Sequence, residues 1–227
     1  MFDLKLPTHR RGFLGSMAAS AAALGLGSLV PRGLVAQPVS ARPRVDDPDL
    51  DAWLNKIKGA HKQVYDMPEF NEGVGFIWSR VFYLTNQQTG VPESDVGVVL
   101  VLRHTAVVFA MKDAMWAKYK LGEMANVTDP KTNAPAVRNT FYKMAPEEQL
   151  LPGVSIDGLM ASGALVGACN VAITVSSRAL AKKMNLPAED IAKDMIANLI
   201  PGVQVVPSGV WAVNRVQERG CTYCFAG

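Results

Sequence analysis

The most reactive side chain in the sequence is the thiol of Cys169, which closes the apolar run ALVGAC and is followed at once by Asn170 and a helical stretch. A thiol between a strand end and a helix start meets free amide donors that favour the thiolate, the form that acts as nucleophile. A cysteine in an apolar run also serves as a small buried hydrophobe, and both readings stand at this point. His104 follows another apolar run, VGVVLVLR, and can act as hydrogen-bond partner or proton shuttle to such a thiol, or as a structural hydrogen-bonder. Asp66 and Ser208 lie at the ends of two further β-rich runs. If these runs are parallel strands of one sheet, Asp66, His104, Cys169, Asn170 and Ser208 gather on one rim, where open α/β sheets bind their ligands.

Cys221 and Cys224 form C-T-Y-C near the end of the chain. Such a pair can be a redox dithiol, half of a metal site, or chance. Residues three apart in an extended segment face opposite sides, so a disulfide between them needs a turn there. A zinc site would need two more ligands, and His61, His104 and Cys169 supply no matching spacing, so neither a metal nor a cofactor is expected. The dinucleotide, phosphate-loop, nucleophile-elbow and zinc-protease motifs are all absent.

The elements that must position these groups alternate between strand-like and helical patterns from residue 61 onward, which predicts an α/β domain with a five-stranded, mostly parallel sheet covered by helices on both faces. Strands are expected at His61 to Asp66, Val96 to Arg103, Ala164 to Cys169, Val203 to Val206 and Thr222 to Phe225. The run at Val96 is apolar throughout, as strands buried on both faces are. Helices are expected from Val74 to Gln87 with Val74, Ile77, Val81 and Leu84 as the apolar stripe, and from Thr105 to Leu121 with Thr105 as cap. Further helices are expected over Ile156 to Ser162, Val171 to Met184, Pro187 to Leu199 and Val210 to Arg219. Residues 126 to 152 read as a long excursion with one short helix near Ala136 to Tyr142. The Met and aromatic side chains of the helical stretches, Met111, Met115, Trp116, Phe76, Trp78, Phe82 and Tyr83, read as core or subunit-interface residues.

At the N-terminus, paired Arg10 and Arg11 precede Phe13, Leu14 and a weakly apolar stretch to Val30, which looks like a twin-arginine translocation signal. Cleavage is expected after Ala36, or alternatively after Ala41. Residues 1–36 carry Lys5, Arg10, Arg11 and Arg32 against Asp3, which accounts for the whole net charge of +3. The remainder is near neutral, so nucleic-acid binding has no compositional support, and no stable membrane insertion is expected after cleavage. Residues 37–50 hold three prolines and no apolar period. The organisation read from the sequence is a signal over 1–36, a tether over 37–60 and one domain over 61–227. With 227 residues, 49% of them hydrophobic, the chain is ample for one buried core and too apolar for a disordered one.

The strings GALVGACNVA, IPGVQVVPSGV and AVNRVQERGCTY, with VVLVLRHTA and AMWAKYKLGE earlier, resemble the DsrE/DsrF-like proteins of sulfur relay over roughly residues 61 to 227. The resemblance implies a five-stranded α/β domain that forms homo-oligomers, and a persulfide-carrying cysteine at the position of Cys169; His104, from the reading of the strand ends, is the group expected to assist it. It also implies a sulfur donor or acceptor, either a protein or a small sulfur compound. Export through the twin-arginine translocase implies a periplasmic location. The motif around Cys169, A-C-N-V-A, differs from the small-residue loop of the cytoplasmic relay proteins. Two other functions stay open: a non-catalytic oligomeric module binding a small ligand on the same rim, and a periplasmic thiol redox protein using Cys221 and Cys224.

Overall fold

A computed structural model describes residues 47–227. The signal read over residues 1–36, and the part of the tether before residue 47, lie outside the described residues.

The chain enters through helix α1 (Pro48–Leu54), capped by the Asp47 side chain, which accepts from the Asp49 and Leu50 amides, with a proline at its first turn. Leu50, Trp53 and Leu54 of α1 are buried. Residues 48–54 are therefore part of the packed domain, where the sequence reading has a tether.

Strands β1 (His61–Met67), β2 (Val96–Leu102), β5 (Leu165–Cys169), β6 (Gln204–Val206) and β7 (Thr222–Phe225) form one sheet in the order β6-β5-β2-β1-β7. All four pairings are parallel. Five parallel strands with helices around them agree with the fold read from the sequence. Every residue of β2 is buried, and its side chains alternate between layers. Val98, Leu100 and Leu102 face one core with Tyr65, Met67, Phe76, Phe109 and Trp116. Val99 and Val101 face the other, with Val64, α1 and Ala212 and Val216 of helix α8 (Gly209–Glu218).

Helix α2 (Val74–Gln88) forms where expected, but it buries Phe76, Ser79 and Tyr83 and leaves Val81 exposed. The aromatic volumes, not the smaller aliphatic stripe, face the sheet. Trp78 on this helix is also exposed.

The single helix expected from Thr105 to Leu121 is replaced by three pieces. A 3₁₀ turn at His104–Ala110 precedes α3 (Asp113–Tyr119), and left-handed Lys120 separates α3 from α4 (Leu121–Ala125). Two causes are visible. Residues Ala106 to Met111 are buried on every side, so the segment has no amphipathic period to maintain. The carbonyls a helix would spend on its own amides are taken elsewhere: the Asn139 amide donates to Phe109 and Met111 oxygens at 2.9 Å each, and Ile200 N–H donates to the Ala110 oxygen at 2.8 Å. Thr105 does not cap a helix; its hydroxyl donates to the Pro68 carbonyl.

Residues 126 to 152 carry a two-residue hairpin, β3 (Thr128–Asp129) with β4 (Ala134–Pro135), and a 3₁₀ turn at Pro146–Glu148, and no helix over Ala136 to Tyr142. Arg138 holds this excursion together, reaching both Asp129 oxygens (2.7 and 3.0 Å) and Glu148. Helices α5 (Ile156–Ala161), α6 (Asn170–Met184) and α7 (Ala188–Ala197) complete the domain.

Candidate functional site

The sheet delivers four chain segments to one rim. Asp66 sits near the end of β1, Arg103 and His104 follow β2, Cys169 ends β5, and Ser208 follows β6. Between them lies a cavity of about 370 Å³ lined by Arg103, His104, Cys169 and Ser208. Met124, Val171, Val175 and Val210 supply its apolar wall.

Cys169 is the N-cap of the 15-residue helix α6, and its Sγ accepts the Ala172 amide at 3.3 Å. The sulfur therefore sits at the start of the helix, among its first free amides. The residue is 5% exposed and lies on the cavity lining. His104, exposed and with φ +47°, lines the same cavity. A histidine in the left-handed region is costly for a side chain with a Cβ, and such conformations gather at functional sites.

Asp66 does not line the cavity. It is buried, and its oxygens accept from Arg103 Nε at 2.6 Å, Arg103 Nη2 at 3.0 Å and the Tyr223 hydroxyl at 2.9 Å. Its role is to orient Arg103. The Asp66 hydrogen bond holds the Arg103 guanidinium above its ordinary range against desolvation, and the Asp66 charge adds to this. Arg103 is thus a fixed cation within electrostatic range of Cys169, braced by a bidentate carboxylate. Gly209 lets it lie there: a Cβ at that position would fall 2.6 Å from the Arg103 Cβ. Ser208 caps the ten-residue α8, its Oγ accepting from Trp211 N–H at 3.2 Å, so two helix starts border the cavity. Asn170 is exposed and its side chain is not on the lining.

Arg103 was not among the residues singled out from the sequence. The signal was present: a lone cation closes a strand that is apolar throughout, and a lone carboxylate, Asp66, closes its neighbour. Parallel pairing of Asp66 with Val101 and Met67 with Leu102 brings the two together.

Cys221 and Cys224 are free thiols. Cys221 packs into the core beneath α8 and Cys224 against the core on the other face of the sheet, as residues three apart in an extended segment must. Burial pushes both thiols up from their ordinary range. Among the described residues no group of three histidine, cysteine or acidic side chains is placed to hold a metal ion, and no helix is long and apolar enough to cross a membrane.

A second, larger cleft of about 1120 Å³ adjoins the thiol cavity and shares Thr105 and Met124 with it. It is walled by the turn after β1 and by the excursion at 126 to 152, neither of which the sequence reading placed at a site. The only signal was the length of the excursion. Compared with known proteins, the chain matches no family model and no curated protein.

Proposed function

We propose that the protein is an exported, DsrE-like sulfur carrier in which Cys169 accepts a sulfane sulfur from an anionic donor. The observation that carries this reading is the position of Cys169: on the cavity lining, at a helix N-cap where its Sγ accepts the Ala172 amide, and on the same lining as Arg103, which Asp66 holds. A thiosulfate-like donor brings its anion to Arg103 and the helix starts. The Cys169 thiolate attacks the outer sulfur, a sulfur–sulfur bond forms on Cys169, the donor's own sulfur–sulfur bond breaks, and sulfite leaves with the electron pair. The product is a persulfide anion, stabilised in this reading by the Ala172 amide and by Arg103 on the same lining. His104 on the same lining is the group for proton exchange with the departing or incoming species. In this reading residues 1–36 route the chain through the twin-arginine translocase to the periplasm, where it acts as a homo-oligomer with a small or protein-borne sulfur partner.

Intact-mass analysis after incubation with thiosulfate or polysulfide tests the proposal. A gain of one sulfur atom, lost in Cys169→Ser and slowed in Arg103→Lys, is expected. No gain, together with a saturable melting shift by a small ligand that Cys169→Ser leaves unchanged, would favour the non-catalytic binding module instead. A redox pair of Cys221 and Cys224 draws no support from thiols packed on opposite faces of the sheet.

A further inference from the structure

The cavity at Cys169 takes its character less from its one cation than from its wall. Helix α6 brings Val171, Ala172, Val175 and Ala179 to the lining at three- and four-residue steps, and Met124 of α4 and Val210 of α8 join them. Val171, Val175 and Val210 are 54%, 57% and 69% exposed, so three large apolar side chains of one cavity stand in water. Scattered singly, such exposure is ordinary. Gathered on one concave lining with a few polar groups beside it, it marks a place for an apolar body.

The polar part of the lining is small, and two of its members are already committed. The Thr105 hydroxyl donates to the Pro68 carbonyl, and the Ser208 Oγ accepts the Trp211 amide. Arg103 is the only lysine or arginine on the lining among the described residues. Its Nε and Nη2 donate to Asp66, so Nη1 is the nitrogen outside that fork, and the ion pair carries no net charge. Such a pair suits one singly charged group. It gives little to a dianion, whose desolvation against valine and methionine is costly. The volume, about 370 Å³, lies in the range that takes a small organic ligand, and a bare thiosulfate would leave the valines and Met124 against water.

We propose that the sulfur donor at this site is an organic thiosulfonate, a thiosulfate in which an apolar carbon body replaces one oxygen; this rests on the sulfur-carrier reading of Cys169. The body lies against Val171, Val175, Val210 and Met124, and the sulfonyl oxygens accept from Arg103. Cys169 gives its proton to His104 and attacks the outer sulfur as thiolate. A sulfur–sulfur bond forms on Cys169, the donor's own breaks, and an organic sulfinate leaves with the electron pair. The cysteine sulfur is oxidised as the sulfonyl sulfur is reduced, so no further oxidant is needed. The valines select the donor and take no part in the bond changes.

Two measurements on the full chain test this. The first is the rate of sulfur gain, by intact mass, from benzenethiosulfonate, from the methanethiosulfonate anion and from thiosulfate. Each rate is divided by that of the same donor with free N-acetylcysteine, which removes differences in leaving group. On that scale the benzene donor is expected to load at least about tenfold faster than the other two, the discrimination an apolar group brings to a matching pocket. Val171→Ser with Val175→Ser, both at exposed positions, should bring the phenyl-over-methyl ratio to parity. The second is calorimetry with unreactive benzenesulfonate and methanesulfonate, which needs no sulfur transfer. Benzenesulfonate is expected to bind saturably and about tenfold more tightly, and Arg103→Lys should weaken both alike. Equal normalised loading by the three donors, equal binding of the two sulfonates, or loading from polysulfide alone overturns the donor class and leaves Cys169 a sulfur carrier. Selective sulfonate binding with no loading from any donor, polysulfide included, overturns the sulfur reading itself and the donor with it.

Discussion

The two cavities share Thr105 and Met124 yet are held in opposite ways. The thiol cavity is framed by strand ends and two capped helix starts, and its one fixed cation is tied to a buried carboxylate on the central sheet. The larger cleft is framed by a turn and an excursion whose own ion pairs, Arg138 with Asp129 and Glu148, hold it in shape. The first draws its geometry from the sheet, whose pairing cannot slip without moving every buried side chain. The second draws its geometry from a local cross-link that involves no residue of the five-stranded sheet. The sulfur chemistry proposed for Cys169 rests on the frame that the sheet holds.

Cutting each frame at its cation separates them. Arg103→Met strands a buried carboxylate beside the central strands, and a global loss of about 3 kcal/mol is expected in urea unfolding, with part recovered in the Asp66→Asn double variant. Were the loss confined to local opening of the rim, the sheet would not be the frame of the thiol cavity. Arg138→Met should cost less, about 2 kcal/mol, and should raise hydrogen exchange across residues 126 to 152 while the amides of β1, β2 and β5 stay protected. A uniform rise would merge the two regions into one cooperative unit.

Acid sharpens the same contrast. The Arg138 hydrogen bond, against desolvation, holds Asp129 below its ordinary 3.8, with help from the Lys131 amide. Glu148, raised by desolvation but lowered more by the Ala145 amide, Lys131 and Arg138, lies below its ordinary 4.5. Carboxylates depressed in the folded state stabilise it fully above those ordinary values and progressively less as pH falls below them. The excursion should therefore loosen below about pH 4, read as rising exchange at residues 126 to 152. The smallest effect belongs to the C-terminal pair: Cys224→Ser should change stability by less than about 0.5 kcal/mol and leave sulfur loading intact. Half-buried Cys224 should also alkylate before buried Cys221.

Parts of this molecule that answer to one strong local rule could be read in advance. The run at Val96 to Leu102 is apolar at every position because both its faces are covered, and Cys169 falls where a strand gives way to a capped helix. What escaped was settled by distant partners. Asn139 takes the carbonyls of Phe109 and Met111 from some 30 residues away in sequence, and so breaks a segment that local pattern reads as one helix. Helix α1 carried its own signs, Asp47 then Pro48 with Leu50, Trp53 and Leu54 at helical spacing, hidden inside a proline-rich stretch. Arg103 acquires meaning only once β1 and β2 are paired, and the larger cleft only once the turn after β1 faces the excursion.

Thr105 and Met124 are common to the walls of both cavities. A guest in one cavity that moved either side chain would change the affinity of the other cavity for its own guest, and by the same factor in both directions.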